Sequence, residues 1–542
     1  MTIEADRAGG TFRRAVDPDL IAADPRIGTV TGLLGDGVAR TPDAELLRFG
    51  DESWSYSRVD AASSQLAHRF VAVDHLVPGD RVAIMLPNVV GWPLIWLAAL
   101  KSGVVAVPVN SSYRAADLEF VLSDSGARVI VTDADHLTLV HEVLAGTPDL
   151  ADITVVDIAD TGDAHLPITS PTASIGPETL ANLQYTSGTT GFPKACMLTH
   201  DYWTRIGWTC AAAVGLGPDD VLLTAQPFSY MDPQWNTVLA LITGAPLVVL
   251  PRFSASGFMA DARRHGATFC YVLGSMPTLL FKQPPNHADR DNRLRAIFCS
   301  AIPAGMHADL EDRWGAPWRE IYGMTESGVD LFSPFDDAAV VGSGTLGHPV
   351  PTKRVRILDP EGAEVPDGEP GELTVSGVPM MLGYWNRPDA TAETLRDGRL
   401  HTGDVAVCEA GTYRLVGRIK DMVRRGGENI ASSEVERALE CAETVVAAAV
   451  LAEADELFGE EVKAFIQLAP GTVADRATAE RIVDATAARL ARFKVPRFVE
   501  FVTDFPRTPS ERIAKPIVKA RAAQNPGTTY DLRPARTAAP GK

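Results

Sequence analysis

The chain is 542 residues long, 46% hydrophobic and 22% charged, with a formal net charge of −19. That length is too great for a single hydrophobic core, so two or more domains are expected, and the composition is that of a soluble globular protein. The acidic balance speaks against nucleic acid as a general partner.

Six cysteines, at 196, 210, 270, 299, 408 and 441, show no C-x-x-C spacing, which predicts reduced thiols in a cytoplasm and neither a metal site nor a disulfide framework. The opening MTIEADRAGG lacks the apolar core of a signal peptide. Residues 91–100 (GWPLIWLAAL) are apolar over about half a membrane span, so a buried helix is expected there and no membrane contact.

In chain order, residues 1–27 are polar and aperiodic, a flexible arm. Residues 80–87 read as a short buried strand ending at proline. The 91–100 helix follows, then a strand over 104–109, a helix near 115–125 and a strand over 128–132. Strands recur at 221–223, 246–250 and 268–273. Their alternation with helical stretches predicts α/β architecture with largely parallel sheets. From 353 to 416 the texture changes to short strands and turns, such as 353–358 and 371–375, which predicts a small β-rich subdomain. Beyond residues 417–421 come a helix (434–439), strands (446–452 and 462–468), a helix (477–492) and a strand (497–501). These fit a compact α+β domain of about 100 residues. The Pro-, Thr- and Ala-rich end reads as a disordered tail. The expected division is an arm (1–27), a large N-terminal domain (28–417), a linker (418–421), a small C-terminal domain (422–522) and the tail (523–542).

One stretch organises the rest: Tyr185-Thr186-Ser187-Gly188-Thr189-Thr190-Gly191-Phe192-Pro193-Lys194. Gly188 and Gly191 let the backbone turn and approach a ligand closely. Ser187, Thr189 and Thr190 add hydroxyl donors, and Lys194 adds a point charge. Successive backbone N–H groups beside an ammonium suit a polyphosphate. Neither the Walker A pattern nor the dinucleotide G-x-G-x-x-G is present. Read alone, Thr325-Glu326-Ser327 suits a helix N-cap as well as Mg2+, a hard cation preferring oxygen ligands. Asp404 in Thr-Gly-Asp reads as a turn residue, and Lys420 as a surface lysine in a linker.

Further segments follow this stretch: Tyr322-Gly323-Met324-Thr325-Glu326-Ser327, His401-Thr402-Gly403-Asp404, Gly417-Arg418-Ile419-Lys420-Asp421, Gly426-Gly427-Glu428-Asn429-Ile430 and Pro506-Arg507-Thr508. In this order the chain resembles the adenylate-forming superfamily of acyl-CoA synthetases, peptide-synthetase adenylation domains and luciferases, from roughly residue 50 to 522. The resemblance implies an α/β fold: a large N-terminal domain of parallel-rich sheets plus a β-rich subdomain, and a small mobile α+β C-terminal domain. It implies phosphate binding by Thr186, Ser187, Gly188, Thr189, Thr190, Gly191 and Lys194, and Mg2+ binding by Thr325 and Glu326. Adenine would lie against Tyr322, Gly323 and Met324 and the strip at Ser300 and Ala301. The ribose would sit on Asp404, with Arg418 assisting. Lys420 becomes the hinge on which the small domain swings between an adenylation pose and a thioester-forming pose. Gly426-Gly427 would line the pantetheine tunnel in the second pose, where a Cβ would obstruct. Tyr230, in Pro227-Phe228-Ser229-Tyr230, is either a gate of the acyl tunnel or a core tyrosine. Gly274, Ser275 and Ser300 join it in the acid pocket, and their small size points to a sizeable acid. His200 reads as structural.

Two departures from the family pattern stand out. Where relatives read Pro-x-Thr-x-Ser-Gly-Lys-Ile-x-Lys, this chain has Pro506-Arg507-Thr508-Pro509-Ser510-Glu511-Arg512-Ile513-Ala514-Lys515. Arg512 replaces the adenylation lysine with a bulkier, planar cation. Glu511 replaces a glycine and brings negative charge toward a polyphosphate. The adenylation half is therefore expected to be impaired, with Lys515 the competing catalytic amine. The second departure is Phe298-Cys299-Ser300-Ala301-Ile302-Pro303, in place of a Gly-Ala-Pro strip. It either alters nucleotide fit or marks a shifted alignment.

The implied activity is an acyl-CoA synthetase, converting a carboxylic acid, ATP and coenzyme A into a thioester through an acyl-adenylate, with AMP released and Mg2+ required. Two alternatives stand beside it. One is a CoA ligase fed with acyl-AMP by a separate adenylating enzyme. The other is a non-catalytic binder of acyl-AMP or acyl-CoA, against which a metal-binding carboxylate argues.

Overall fold

A computed structural model describes residues 28–161, 165–186, 193–426, 428–455, 457–507, 513–525 and 527–532. Ser187, Gly188, Thr189, Thr190, Gly191, Gly427, Glu511 and Arg512 lie outside the described residues, as does the expected arm. Packing groups the chain into two units. The first runs to Val355 and includes Val375–His401; the second takes Arg356–Thr374 and the chain from Thr402 onward.

The first unit opens with α1 (Val30–Arg40), capped by the Thr29 hydroxyl. Six strands follow with their helices: β1 (Arg81–Met85), α2 (Gly91–Ser102), β2 (Val105–Pro108), α3 (Ala115–Ser125), β3 (Val129–Thr132), β4 (Thr154–Asp157), β5 (Leu180–Thr186) and β6 (Lys194–Thr199). They form a sheet of order β4-β3-β1-β2-β5-β6. It is parallel until β6 turns back antiparallel on β5. The expected strand–helix alternation is present. Helix α2 is apolar on every side and buried along its whole length, the behaviour of an internal helix. Among the described residues no helix is long and apolar enough to cross a membrane. Strand β5 ends at Thr186 and β6 begins at Lys194, and these two residues pair. Thr186 and Lys194, on either side of residues 187–193, are thus held as neighbours across the two strands.

A second sheet follows: α4 (His200–Val214), β7 (Leu222–Thr224), α5 (Met231–Thr243), β8 (Leu247–Val249), β9 (Phe269–Leu273), β10 (Ala296–Ser300), β11 (Trp318–Met324) and β12 (Gly328–Phe332). Its central strands have the order β12-β11-β10-β9-β7-β8. It is parallel from β8 to β11 and continues into the antiparallel β11–β12 hairpin.

The second unit holds β13 (Arg399–Glu409) from Thr402 onward, β14 (Thr412–Arg418), β15 (Met422–Arg425), β16 (Glu428–Ala431), α6 (Ser432–Glu440), β17 (Val445–Asp455), β18 (Gly459–Leu468), α7 (Arg476–Ala487), β19 (Phe498–Val502), α8 (Lys515–Gln524) and β20 (Thr529–Asp531). Its main sheet has the order β16-β15-β18-β19-β20, with β17 paired to β18. Apolar residues of α6 and α7, among them Val435, Leu439 and Ile482, close its core. The segment expected as a linker is a short 3-10 turn, Ile419–Asp421, within this unit. The expected disordered tail needs correction over its described part. Thr529–Asp531 pairs antiparallel with β19, Tyr530 packs 5.8 Å from Phe501, and Arg497 reaches Asp531 at 3.0 Å. A three-residue edge strand is too short to show against a Pro/Thr/Ala-rich background.

His200 is structural, as expected. It starts α4 fully buried, and its Nδ1 accepts the Val30 N–H of α1 at 3.2 Å. Burial lowers its pKa from 6.5 to about 4, so the ring is neutral in the folded chain. Its contribution is complete above pH 6.5 and is lost as pH falls toward 4, because the unfolded chain takes up the proton first. The expected slope is up to about 1.4 kcal/mol per pH unit within that window. Denaturant unfolding at pH 7, 6 and 5 should show this slope in the wild type and its loss in His200→Asn, which keeps an acceptor but does not titrate.

Candidate active site

The carboxyl ends of β9, β10 and β11 lie side by side, the usual ligand-binding edge of a parallel sheet. Ser300 ends β10: its hydroxyl donates to Ile321 O at 2.7 Å and lies 3.0 Å from the Tyr271 hydroxyl. Its carbonyl accepts Gly274 N–H at 3.1 Å. Trp235 of α5 meets the Tyr271 ring edge-on at 5.5 Å. Ser300 and Gly274, both expected at the acid pocket, are thus adjacent, and Ser275 follows Gly274 in the chain. Among the described residues, the Ser275 hydroxyl and that of Ser229, beside Tyr230, are buried without hydrogen-bond partners. Tyr230 itself precedes α5 and receives a 3.3 Å contact from Asn110.

Ala301 has φ +75°, a left-handed conformation that costs a residue with a Cβ of order 1–2 kcal/mol. Glu320 of β11 holds it there. Its two carboxylate oxygens accept the Ala301 and Ile302 N–H groups at 2.6 and 2.8 Å. Burial pushes the Glu320 carboxyl up to about 8, against the pull of these two bonds. The sequence reading missed Glu320, because Trp-Arg-Glu-Ile has only the texture of a strand.

Thr325-Glu326-Ser327 forms the turn of the β11–β12 hairpin, and no helix begins there. Gly323 is required before it, since a Cβ at that position would lie 1.9 Å from Gly328 O. Every carbonyl of the turn is held. Tyr202 donates to Thr325 O at 2.8 Å, Met381 N–H to Glu326 O at 2.7 Å, and the Lys353 ammonium to Ser327 O at 2.7 Å. Lys353 also donates to Pro379 O and lies 3.4 Å from Asp330, both side chains fully buried. Asp330 in turn accepts the Ser327 hydroxyl at 2.6 Å. Burial draws the Lys353 pKa down and pushes Asp330 up, while their mutual attraction opposes both shifts. The Thr325 hydroxyl contacts Met231 Sδ at 3.6 Å.

Lys194 and Glu326, expected at phosphate and metal, meet on Tyr384. The Tyr384 hydroxyl donates to Glu326 Oε1 at 2.6 Å, and the Lys194 ammonium lies 4.5 Å from its ring centroid. The Tyr384 segment is stitched to β6 by Met197 N–H to Gly383 O, Leu382 N–H to Met197 O and Trp385 N–H to Ala195 O, each 2.9 Å. Asp124 ties it to β5, accepting Tyr185 OH at 2.8 Å and Arg387 at 2.6 Å. Behind β5, Asn182 accepts the Trp96 and Trp203 indoles and donates to Gln234. Gln234 donates to Gln184, Phe228 O and Tyr230 O. Glu326 is 7% exposed, and among the described residues its Oε2 has no hydrogen-bond partner. One anchored and one uncommitted carboxylate oxygen, beside a threonine hydroxyl, fit a hard cation that keeps most of its waters.

In the second unit, the Asp404 carboxylate is almost fully buried and lies 2.7 Å from Arg418 Nε. The two residues are cross-strand partners on β13 and β14. Gly426, at φ +57°, donates to Phe458 O at 2.9 Å. Lys420 is the middle residue of the Ile419–Asp421 turn. Lys515 lies 2.8 Å from Glu436 and 3.8 Å from Asp421.

The sequence pattern of the AMP-binding enzyme family matches residues 35–385, and that of the AMP-binding enzyme C-terminal domain matches residues 434–512. The chain belongs to the AMP-binding enzyme family. Its relatives include a feruloyl-CoA synthase of Amycolatopsis, 33% identical over 89% of this chain and 96% of the relative. A sulfoacetate–CoA ligase of Cupriavidus necator is 31% identical over 90% and 96%. Among solved structures, ATP-bound MatB from Rhodopseudomonas palustris superposes with a TM-score of 0.83 at 28% identity, covering 91% of this chain and 98% of that one. The o-succinylbenzoate CoA synthetase of Bacillus subtilis, solved with its acyl-adenylate intermediate, gives 0.82 at 25% identity, with 90% and 97% covered. The expected recognition and fold therefore hold, and this AMP-binding enzyme is of the acyl-CoA ligase class.

Lys353→Met should leave Asp330 buried without its counter-charge and cost about 3–5 kcal/mol. The double variant Lys353→Met with Asp330→Asn should cost less than the single. Urea unfolding of both variants measures this.

Proposed function

We propose that this AMP-binding enzyme joins a carboxylic acid to coenzyme A in two steps, with ATP consumed to AMP and pyrophosphate. In the first, a carboxylate oxygen of the acid attacks the α-phosphorus of ATP, the bond to the β-phosphate oxygen breaks, and pyrophosphate leaves. In the second, the CoA sulfur attacks the acyl carbon, the bond to the AMP oxygen breaks, and the thiol proton is released.

The observation that carries this reading is the meeting of Lys194 and Glu326 on one ring. A cation for phosphate oxygens and a carboxylate with one uncommitted oxygen are held together on one ring, and Lys194 is the last residue of the Gly- and Ser/Thr-rich motif. Thr325 and Glu326 would hold Mg2+. When bound, that ion neutralises charge on the phosphate oxygens. Lys194 adds its own positive charge, and fixed donors cost no reorganisation during reaction. Ala301, fixed by Glu320, and Tyr322 with Gly323 and Met324 would receive the adenine. Asp404, oriented by Arg418, would accept the ribose hydroxyls, since a carboxylate makes the stronger, charge-assisted bond. Tyr230, Gly274, Ser275 and Ser300 would face the acid, and the unpartnered Ser229 and Ser275 hydroxyls favour an acid bearing a polar group. Lys420 as hinge and Gly426-Gly427 at the pantetheine remain part of this proposal, as does a cytoplasmic setting.

Acid-dependent ATP–pyrophosphate exchange, run over a panel that includes ferulate and sulfoacetate, tests the reading. Lys194→Ala and Glu326→Ala should each lower exchange at least tenfold with the fold intact by circular dichroism. Exchange at the wild-type rate in both would remove this site.

A second reading rests on Glu511 and Arg512. It makes the first half-reaction slower than the second, so that the enzyme draws on acyl-AMP from another source. The Lys515 ion pair with Glu436 supports leaving the family lysine's position to Arg512 rather than to Lys515. Under this reading Glu511→Gly with Arg512→Lys should raise acyl-AMP formation severalfold, while thioester formation from supplied acyl-AMP stays unchanged. Equal acyl-AMP rates in wild type and double variant would dismiss it.

A further inference from the structure

We infer that Tyr384 is a positioning residue that sets Lys194 and Glu326 as a pair toward Mg-ATP. The inference rests on the proposed roles of those two residues. It goes beyond them by assigning the element that couples one to the other.

Three observations carry it. The Tyr384 hydroxyl makes a 2.6 Å bond to Glu326 Oε1 and so fixes the carboxylate with Oε2 directed away from that bond. The face of the same ring seats the Lys194 ammonium at 4.5 Å, within the range where a ring quadrupole attracts a cation. The tyrosine is itself immobilised. Its N–H donates to the Thr391 hydroxyl at 2.9 Å, its neighbours on both sides are hydrogen-bonded to β6, and Arg387 is bound to Asp124.

The geometry has a chemical logic. Lys194 sits on β6 of one sheet, and Glu326 sits in a hairpin turn of the other. Left to themselves, an ammonium and a carboxylate would close into a direct ion pair and consume the charge that phosphate and metal require. The phenol ring satisfies both at once, with its hydroxyl toward the anion and its π-face toward the cation. Burial and the neighbouring Glu326 charge push the tyrosine pKa well up, so the hydroxyl keeps the proton it donates.

The two functions of the ring separate in two variants. Tyr384→Phe keeps the π-face and removes the donor; Tyr384→Leu removes both. Calorimetric titration with ATP, once with EDTA and once with excess Mg2+, reads them apart without any acid or turnover. The ratio of the two dissociation constants should fall threefold to tenfold in Tyr384→Phe, with metal-free ATP binding near wild type. In Tyr384→Leu metal-free binding should also weaken, at least threefold. Glu326→Gln is the control. If it abolishes the Mg2+-dependent gain while Tyr384→Phe leaves it intact, the inference is overturned and the Glu326 reading stands. If neither changes it, the Glu326 reading fails and the inference falls with it. Thermal unfolding within a few degrees of wild type identifies the properly folded variants. If Tyr384→Phe is unfolded, Tyr384→His, which retains an aromatic face and a donor, should restore the ratio. A folded Tyr384→His with the ratio of Glu326→Gln would also overturn the inference.

Discussion

The structure depends on holding two opposite charges close together without letting them neutralise each other. Lys194 and Glu326 come from different sheets and from distant parts of the chain. Tyr384 occupies the space between them and binds both. The segment carrying it hydrogen-bonds to the strand that bears Lys194 and, through Met381, to the turn that bears Glu326. The arrangement of one sheet relative to the other, within this unit, is therefore read out directly as the spacing of the two charges.

The surroundings serve rigidity more than stability. A buried ion pair such as Lys353–Asp330 contributes little net stability, because desolvating two charges costs about what their attraction returns. What the pair supplies is position: Lys353 holds the Ser327 carbonyl and Asp330 holds the Ser327 hydroxyl. The amide network of Asn182, Gln184 and Gln234 does the same for β5 and for the backbone at Phe228 and Tyr230. Its members bond to one another, to the Trp96 and Trp203 indoles or to backbone carbonyls, and buried polar networks specify one geometry only when satisfied in this way. Preorganised donors of this kind suit a reaction that proceeds by positioning and charge neutralisation.

Much of this was legible in the sequence because its signals are local. The unbroken apolarity of residues 91–100 announced an internal helix, and the Gly/Ser/Thr run ending at Lys194 is the local signal on which the proposed phosphate site rests. Tyr384 carried no such signal. Its hydroxyl partner is 58 residues away, and a tyrosine before Trp-Asn-Arg in an irregular segment has neither period nor motif chemistry of its own. Glu320 was hidden for the opposite reason, since a carboxylate inside a strand looks like an exposed alternation until its partners Ala301 and Ile302 are known. Thr325-Glu326 was ambiguous between cap and ligand, because both uses call for the same short oxygen-bearing residues. The hairpin turn removes the helix cap, and the ligand role belongs to the proposal.

The central claim is an acyl-adenylate route, and oxygen tracing tests it most directly. An accepted acid, labelled with 18O in both carboxylate oxygens, is converted to its CoA thioester, and the phosphorus products are analysed by mass spectrometry. The account predicts AMP carrying one 18O atom and unlabelled pyrophosphate, because the carboxylate oxygen that attacks the α-phosphorus stays with it. Unlabelled AMP, or ADP with the label in inorganic phosphate, would contradict it.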